Sequence, residues 1–162
     1  GVVMGKLCKY VDVCVANEED AADVFGICAE NTNVTAGEVN RNGYKDVARQ
    51  LAERFGFAKV AITLRESISA NDNIWSAMLY DGENYCFSKK YKVHIVDRVG
   101  GGDSFCGGLI ASCLNGYDSQ MTVEFAAAAS CLKHSIEGDM NLVTVDEVLK
   151  LAGGDATGRV QR

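Results

Sequence analysis

The sequence predicts a layered α/β/α fold with a mainly parallel sheet. Two apolar, β-rich runs are separated by a helical stretch, giving a β-α-β progression whose natural form is a parallel sheet flanked by helices. A third apolar strand, Val93-His94-Ile95-Val96, runs through Asp97-Arg98-Val99 into three consecutive glycines and then a helix. Ligands collect beyond the C-terminal ends of strands in such folds, so this last junction is the place to look for chemistry.

The first strand is Tyr10-Val11-Asp12-Val13-Cys14-Val15-Ala16, apolar enough to be covered on both faces. Asn17-Glu18-Glu19-Asp20 opens a helix through Ala21, Ala22, Val24, Phe25 and Ile27, with Asn17 as its cap and acids favourable to the dipole. A polar loop over 31–37 follows. Tyr44, Val47, Ala48, Leu51, Ala52 and Phe55 then recur at helical spacing to a stop at Gly56. The second strand, Phe57 to Leu64, delivers Thr63, Arg65 and Ser67 to its end. Ile74–Tyr80, the turn Asp81-Gly82 and Asn84–Ser88 read as a β-hairpin. A helix from Gly101 to Asn115-Gly116, an alanine-rich helix from Met121 to Lys133, the polar loop His134–Asn141 and a helix from Val145 to Leu151 complete the chain.

The glycine turn reads as an anion site. Gly100, Gly101 and Gly102 can direct several N–H groups into one concavity, and the following helix adds the positive end of its dipole. A capped helix after an ordinary turn is the plainer alternative. The spacing satisfies neither the dinucleotide fingerprint nor the P-loop, since no third glycine and no Lys-Ser/Thr pair stand where those need them. In the helix beyond, Phe105, Leu109 and Cys113 form a bulky stripe, and Gly107, Gly108, Ala111 and Ser112 leave another side bare for close packing.

Composition narrows the classes. The 162 residues, 48% hydrophobic, suit one domain, here 1–162. A net charge of −6 argues against nucleic acid. Seven cysteines without a C-x-x-C pair indicate neither a disulfide framework nor zinc, and fit a reducing cytoplasm. No apolar run is long enough for a membrane span, and Gly1–Lys6 lacks the apolar core of a signal peptide.

Asp97-Arg98-Val99-Gly100-Gly101-Gly102-Asp103, with Thr63-Leu64-Arg65-Glu66-Ser67 before it and Leu132–Asp139 after it, resembles the signature of the ribokinase-like (PfkB) sugar kinases, and within them the branch acting on 2-keto-3-deoxygluconate. The resemblance implies a three-layer ribokinase-like fold, ATP and Mg2+ as cofactors, and phosphorylation of a small sugar acid at its terminal hydroxyl. Asp103 is implied to be the base and the amides of Gly100, Gly101 and Gly102 the anion hole. Thr63, Arg65, Ser67, His134, Gly138 and Asn141 are implied to border the nucleotide. Asp139, with Asp103, falls to the sugar side; Asn17, Asp20 and Asp97 to Mg2+. The His134–Asn141 loop is where several members hold a monovalent cation. Asp20 stands where the family's Asn-x-x-Glu motif has glutamate, and Arg65 where the wider family has glycine. Members are about twice this length, so the chain is expected to be the C-terminal, nucleotide-side portion, lacking the sugar-binding half and lid and inactive alone. A homo-oligomer is expected from its open sheet edge. Two other classes remain: a non-catalytic nucleotide-binding module, which needs no Asp103, and an interaction fragment that associates through exposed edges.

Overall fold

The protein is seen in a computed structural model that describes residues 1–17, 19–27 and 41–154. The polar loop expected over 31–37 lies outside the described residues. The chain forms two compact units, Gly1–Leu64 with Met78–Cys86 and Arg65–Ala77 with Phe87–Arg162. The strands β1 (Val13–Ala16), β2 (Lys59–Ser67), β3 (Asp72–Tyr80) and β4 (Tyr85–Phe87) follow that order, with β5 (Tyr91–His94) also on β3.

In the first unit, helix α1 (Val2–Leu7) and a 3-10 turn (Cys8–Tyr10) lead to strand β1 (Val13–Ala16), helix α2 (Asp20–Phe25), helix α3 (Arg41–Phe55) and the first part of strand β2 (Lys59–Ser67). β1 runs parallel to β2, Val13 opposite Lys59 and Ala16 opposite Ile62, which is the β-α-β pairing expected. α3 buries Val47, Ala48 and Leu51, the faces its 3.6-residue spacing brought together. Val60, Ala61, Ile62 and Leu64 of β2 are equally buried. Phe25, Phe55 and Phe57 pack in series with tilted rings, centroids 4.6 and 5.5 Å apart. Gly56, at φ 82°, ends α3 in a conformation that disfavours a side chain. Strand β4 (Tyr85–Phe87) returns from β3 (Asp72–Tyr80) through the Asp81-Gly82 turn, where Asp81 accepts the N–H groups of Glu83 and Asn84.

Three expectations change in this unit. β1 begins at Val13, because Cys8–Tyr10 is taken up in the 3-10 turn. It is not covered on both faces: Val13 and Val15 remain 37% and 38% exposed. β2 continues to Ser67, so Arg65 and Ser67, in the second unit, lie within the strand and not beyond its end.

The second unit contains the end of β2, the start of β3, strand β5 (Tyr91–His94), and helices α4 (Gly101–Leu114), α5 (Ser119–Lys133) and α6 (Val145–Gly153). β5 is antiparallel to β3, with Asn73 opposite Val93, so the sheet is mixed. Asp118 caps α5 by accepting the Met121 N–H at 2.7 Å, and Thr144 with Glu147 forms a full capping box on α6. α4 packs on α5 and α5 on α6. The approach of α4 to α5 depends on Gly108, whose missing Cβ would stand 3.0 Å from the Ala126 Cα. Phe105 and Leu109 of the same helix are buried, each worth about 1.5–3 kcal/mol when fully buried. Cys113 leaves the predicted stripe for the surface, and Gly107 has nothing within 4 Å, so the close-packed side is narrower than expected. No helix among the described residues is long and apolar enough to cross a membrane.

Candidate active site

The glycine turn is built by the segment that follows α5. The His134 carbonyl accepts the N–H groups of Val96 and Asp97, at 2.8 and 3.3 Å, so the exit of β5 is held by the end of α5. Asp97 then uses both carboxylate oxygens on backbone: Oδ1 accepts Val99 N–H at 3.0 Å and Oδ2 accepts Gly138 N–H at 2.9 Å. These bonds hold its carboxyl below the ordinary carboxylate value. Asp97 is thus a clasp joining the two loops.

Each glycine has a different reason. Gly100 caps α4 at φ 78°, and a Cβ there would fall 2.1 Å from the Asp139 carbonyl oxygen. Gly101 lies against the His134 ring, where a Cβ would meet Cε1 and Nε2 at 2.8 Å. Its carbonyl accepts the Ser130 hydroxyl at 2.8 Å. Gly102 is exposed, with nothing within 4 Å of a Cβ position. Two glycines therefore serve packing, and the third leaves open space at the positive end of α4.

Asp103 follows in the first turn of α4, exposed and making no capping bond. It is the next residue along α4 from Gly102, whose Cβ position is open. His134 is 4% exposed. Its Nδ1 lies 2.7 Å from the Ser130 carbonyl, an acceptor, so that nitrogen carries the proton. Its ring packs on Trp75 with centroids 4.7 Å apart. Burial first, and then the charges of Arg98, Lys133 and Arg65, lower its pKa, leaving the imidazole neutral.

The structure thus brings Asp97, Gly100, Gly101, Gly102, Asp103, His134, Gly138 and the Asp139 carbonyl to one place. Arg65 and Ser67 are exposed in the same unit, and the charge of Arg65 is felt at His134. Asn141 donates to the Ala129 carbonyl at 3.4 Å and accepts Val143 N–H at 3.1 Å, which folds the loop back on α5. Thr63, Asn17 and Asp20 belong to the first unit. There Asn17 Oδ1 accepts the N–H groups of Glu19 and Asp20, and Asp20 Oδ2 accepts Asn17 N–H at 2.8 Å, the reciprocal arrangement expected of a helix start. Ser130 and Lys133 escaped the sequence reading. Ser130 stands one helical turn before His134 and Lys133 directly before it, which places both at the loop, but an alanine-rich helix conceals that signal.

A mixed sheet with flanking helices, and a strand-to-helix glycine turn with a carboxylate in the first turn of the helix that follows, fit the ribokinase-like class of phosphotransferases. The sequence profile described as pfkB family carbohydrate kinase matches residues 3–145, and the chain belongs to that family. A 2-dehydro-3-deoxygalactonokinase of Haloferax volcanii is 29% identical over 147 residues, covering 90% of this chain and 40% of its own length. The crystal structure of a 2-dehydro-3-deoxygluconokinase from Thermotoga maritima is 49% identical, with a TM-score of 0.87, over 94% of this chain and 44% of that one. A PfkB family carbohydrate kinase from Listeria grayi is 29% identical, with a TM-score of 0.79, over 94% and 44%. The chain therefore spans about two fifths of the length of these relatives.

Proposed function

We propose that this chain supplies the nucleotide side of a kinase that transfers the γ-phosphoryl group of ATP to the terminal hydroxyl of 2-keto-3-deoxygluconate. The observation that carries this reading is the division of labour among the glycines, in which Gly102 alone leaves space beside Asp103. Phosphoryl transfer requires positioning and charge neutralisation more than covalent work by the protein. In this reading the amides around Gly102 hold the transferring group and Asp103 accepts the proton of the sugar hydroxyl, with Asp139 on the sugar side. Arg65 neutralises phosphate charge, while Thr63, Ser67, Gly138 and Asn141 border the nucleotide. His134, buried and neutral, shapes the turn from behind.

The oxygen donors suit Mg2+, a hard cation that keeps much of its water. Asn17 and Asp20 are exposed and carry such oxygens, and they would hold the ion through water. Asp97 would contribute its charge while remaining a clasp. Mg2+ supplies neutralisation of the phosphate oxygens. A cytoplasmic setting, and self-association through the open edge of β1, complete the reading.

Joined to the segment of the Thermotoga relative that it does not cover, the chain is expected to release ADP from ATP and Mg2+ only when 2-keto-3-deoxygluconate is present. Alone it is expected to transfer nothing, since effective molarities of about 10⁵–10⁸ M are lost when one reactant has no site. ADP release indifferent to the sugar would overturn the proposal.

A further inference from the structure

Two side chains on β3 are buried without a hydrogen-bond partner. Asn73 is 0% exposed, and both ends of its amide, Oδ1 and Nδ2, meet no partner among the described residues. The indole Nε1 of Trp75 is buried in the same way. Both are exceptions, since a buried amide is costly unless hydrogen-bonded and a buried tryptophan N–H ordinarily finds an acceptor. Turning the amide over changes nothing, because it exchanges two atoms that are equally unpaired. Nor do the two side chains satisfy one another.

Their positions indicate one guest for both. Asn73 and Trp75 alternate with Ile74 along β3, so they face the same side of the sheet. That side is covered at Trp75 by the His134 ring, with centroids 4.7 Å apart. The cross-strand neighbours on β5 are already spoken for: Val93, opposite Asn73, is apolar, and Tyr91, opposite Trp75, gives its hydroxyl to Glu124 at 3.2 Å. His134 Nδ1 is likewise taken by the Ser130 carbonyl. The unmet set is an amide NH2, an indole N–H and one carbonyl oxygen, so the guest must both accept and donate. An anion would be repelled by Oδ1 and a cation by the N–H groups. Water meets these demands and is the ordinary occupant of enclosed polar sites, at about one molecule per 27 residues of folded chain.

We propose that Asn73 and Trp75 hold an ordered internal water between β3 and the end of α5. It accepts from Trp75 Nε1 and Asn73 Nδ2 and donates to Asn73 Oδ1, about three hydrogen bonds, as such waters make. It fixes the Trp75 ring against His134, the ring that Gly101 lies against, and so braces the glycine turn from behind. The inference stands whether or not the kinase reading holds.

Trp75 is the chain's single tryptophan, so its indole N–H gives one isolated magnetic-resonance signal in the isotope-labelled chain. That proton is expected to show a cross-peak to long-lived water. A crystal structure of the wild-type chain is expected to show water density within hydrogen-bond distance of Trp75 Nε1 and the Asn73 amide. Asn73→Leu, similar in size but without the amide, should lose both the cross-peak and the density and shift the Trp75 emission to shorter wavelength. Tyr91→Phe, which removes a cross-strand hydroxyl able to relay the signal, should keep the cross-peak, and its loss there would overturn the proposal. So would a wild-type chain with neither cross-peak nor density, Asn73 and Trp75 bonded directly to protein groups, or a bromide anomalous peak marking an anion at the site. A cross-peak unchanged in Asn73→Leu would equally contradict it. If Asn73→Leu does not fold, the wild-type cross-peak and density decide alone.

Discussion

Replacing Gly101 by alanine adds one methyl group, which would stand 2.8 Å from Cε1 and Nε2 of His134. That is well inside van der Waals contact, so one partner must move. The ring is poorly placed to yield, being fixed by Nδ1 on the Ser130 carbonyl and packed on Trp75. Gly101 is also held by the Ser130 hydroxyl on its carbonyl. Overpacking of this kind costs about 1–3 kcal/mol. Against it stands the backbone gain of alanine over glycine in a helix, about 0.4–1 kcal/mol. The net expectation is a loss of about 1–2 kcal/mol. Urea denaturation followed by the fluorescence of Trp75, the chain's single tryptophan, reads the change at the site where it occurs. His134→Ser clears the space, so the double variant should lose less than the two single changes added together, a coupling of about 1 kcal/mol or more. Gly102→Ala is the internal control. Nothing faces its Cβ, so it should be neutral or slightly stabilising while weakening ATP. A Gly101→Ala chain as stable as the wild type, with no coupling to His134→Ser, would refute the packing argument.

Asp97 makes stability depend on pH in a defined sense. Its folded pKa is depressed by the Val99 and Gly138 N–H groups, so its contribution is complete above the ordinary carboxylate range and is lost as pH falls through the depressed value. Asp97→Asn should lower stability at neutral pH and flatten the acid limb of an unfolding-versus-pH curve; an unchanged limb would remove Asp97 from its role as clasp. Arg65→Ala should weaken ATP by about 1.5–3 kcal/mol and adenosine much less, with equal losses by calorimetry returning Arg65 to the strand surface. Val13→Lys with Val15→Lys should shift the chain to monomer in sedimentation, since charges along an edge strand suppress edge pairing. A self-associating species that keeps its size in this variant would exclude the β1 edge.

The parallel β1–β2 pair, α3, the β3–β4 hairpin and the α4–α5 packing were legible because each depends on local periodicity or turn chemistry. Val47, Ala48 and Leu51 announce a helix face, and Asp81-Gly82 announces a turn. The exposure of β1 was not legible, since Val13 and Val15 carry the composition of a covered strand and composition does not say whether a cover is present. The glycine turn was found at once, yet the reasons for its glycines were not. Gly100 answers to the carbonyl of Asp139 and Gly101 to a ring at position 134, contacts more than thirty residues away that no periodicity encodes. Lys133 was hidden for the same reason. A lysine closing a helix looks like a solvated dipole partner, and only the fold of the 134–139 loop over it reveals its burial.

The central claim, that Asp103 beside the Gly102 opening is the base of phosphoryl transfer, is tested most directly by turnover in the chain joined to the uncovered segment of its Thermotoga relative. Asp103→Asn should lower kcat by about 10²- to 10⁴-fold while ATP affinity stays nearly unchanged, as removal of a general base requires. Turnover within a fewfold of the unsubstituted protein would contradict the account.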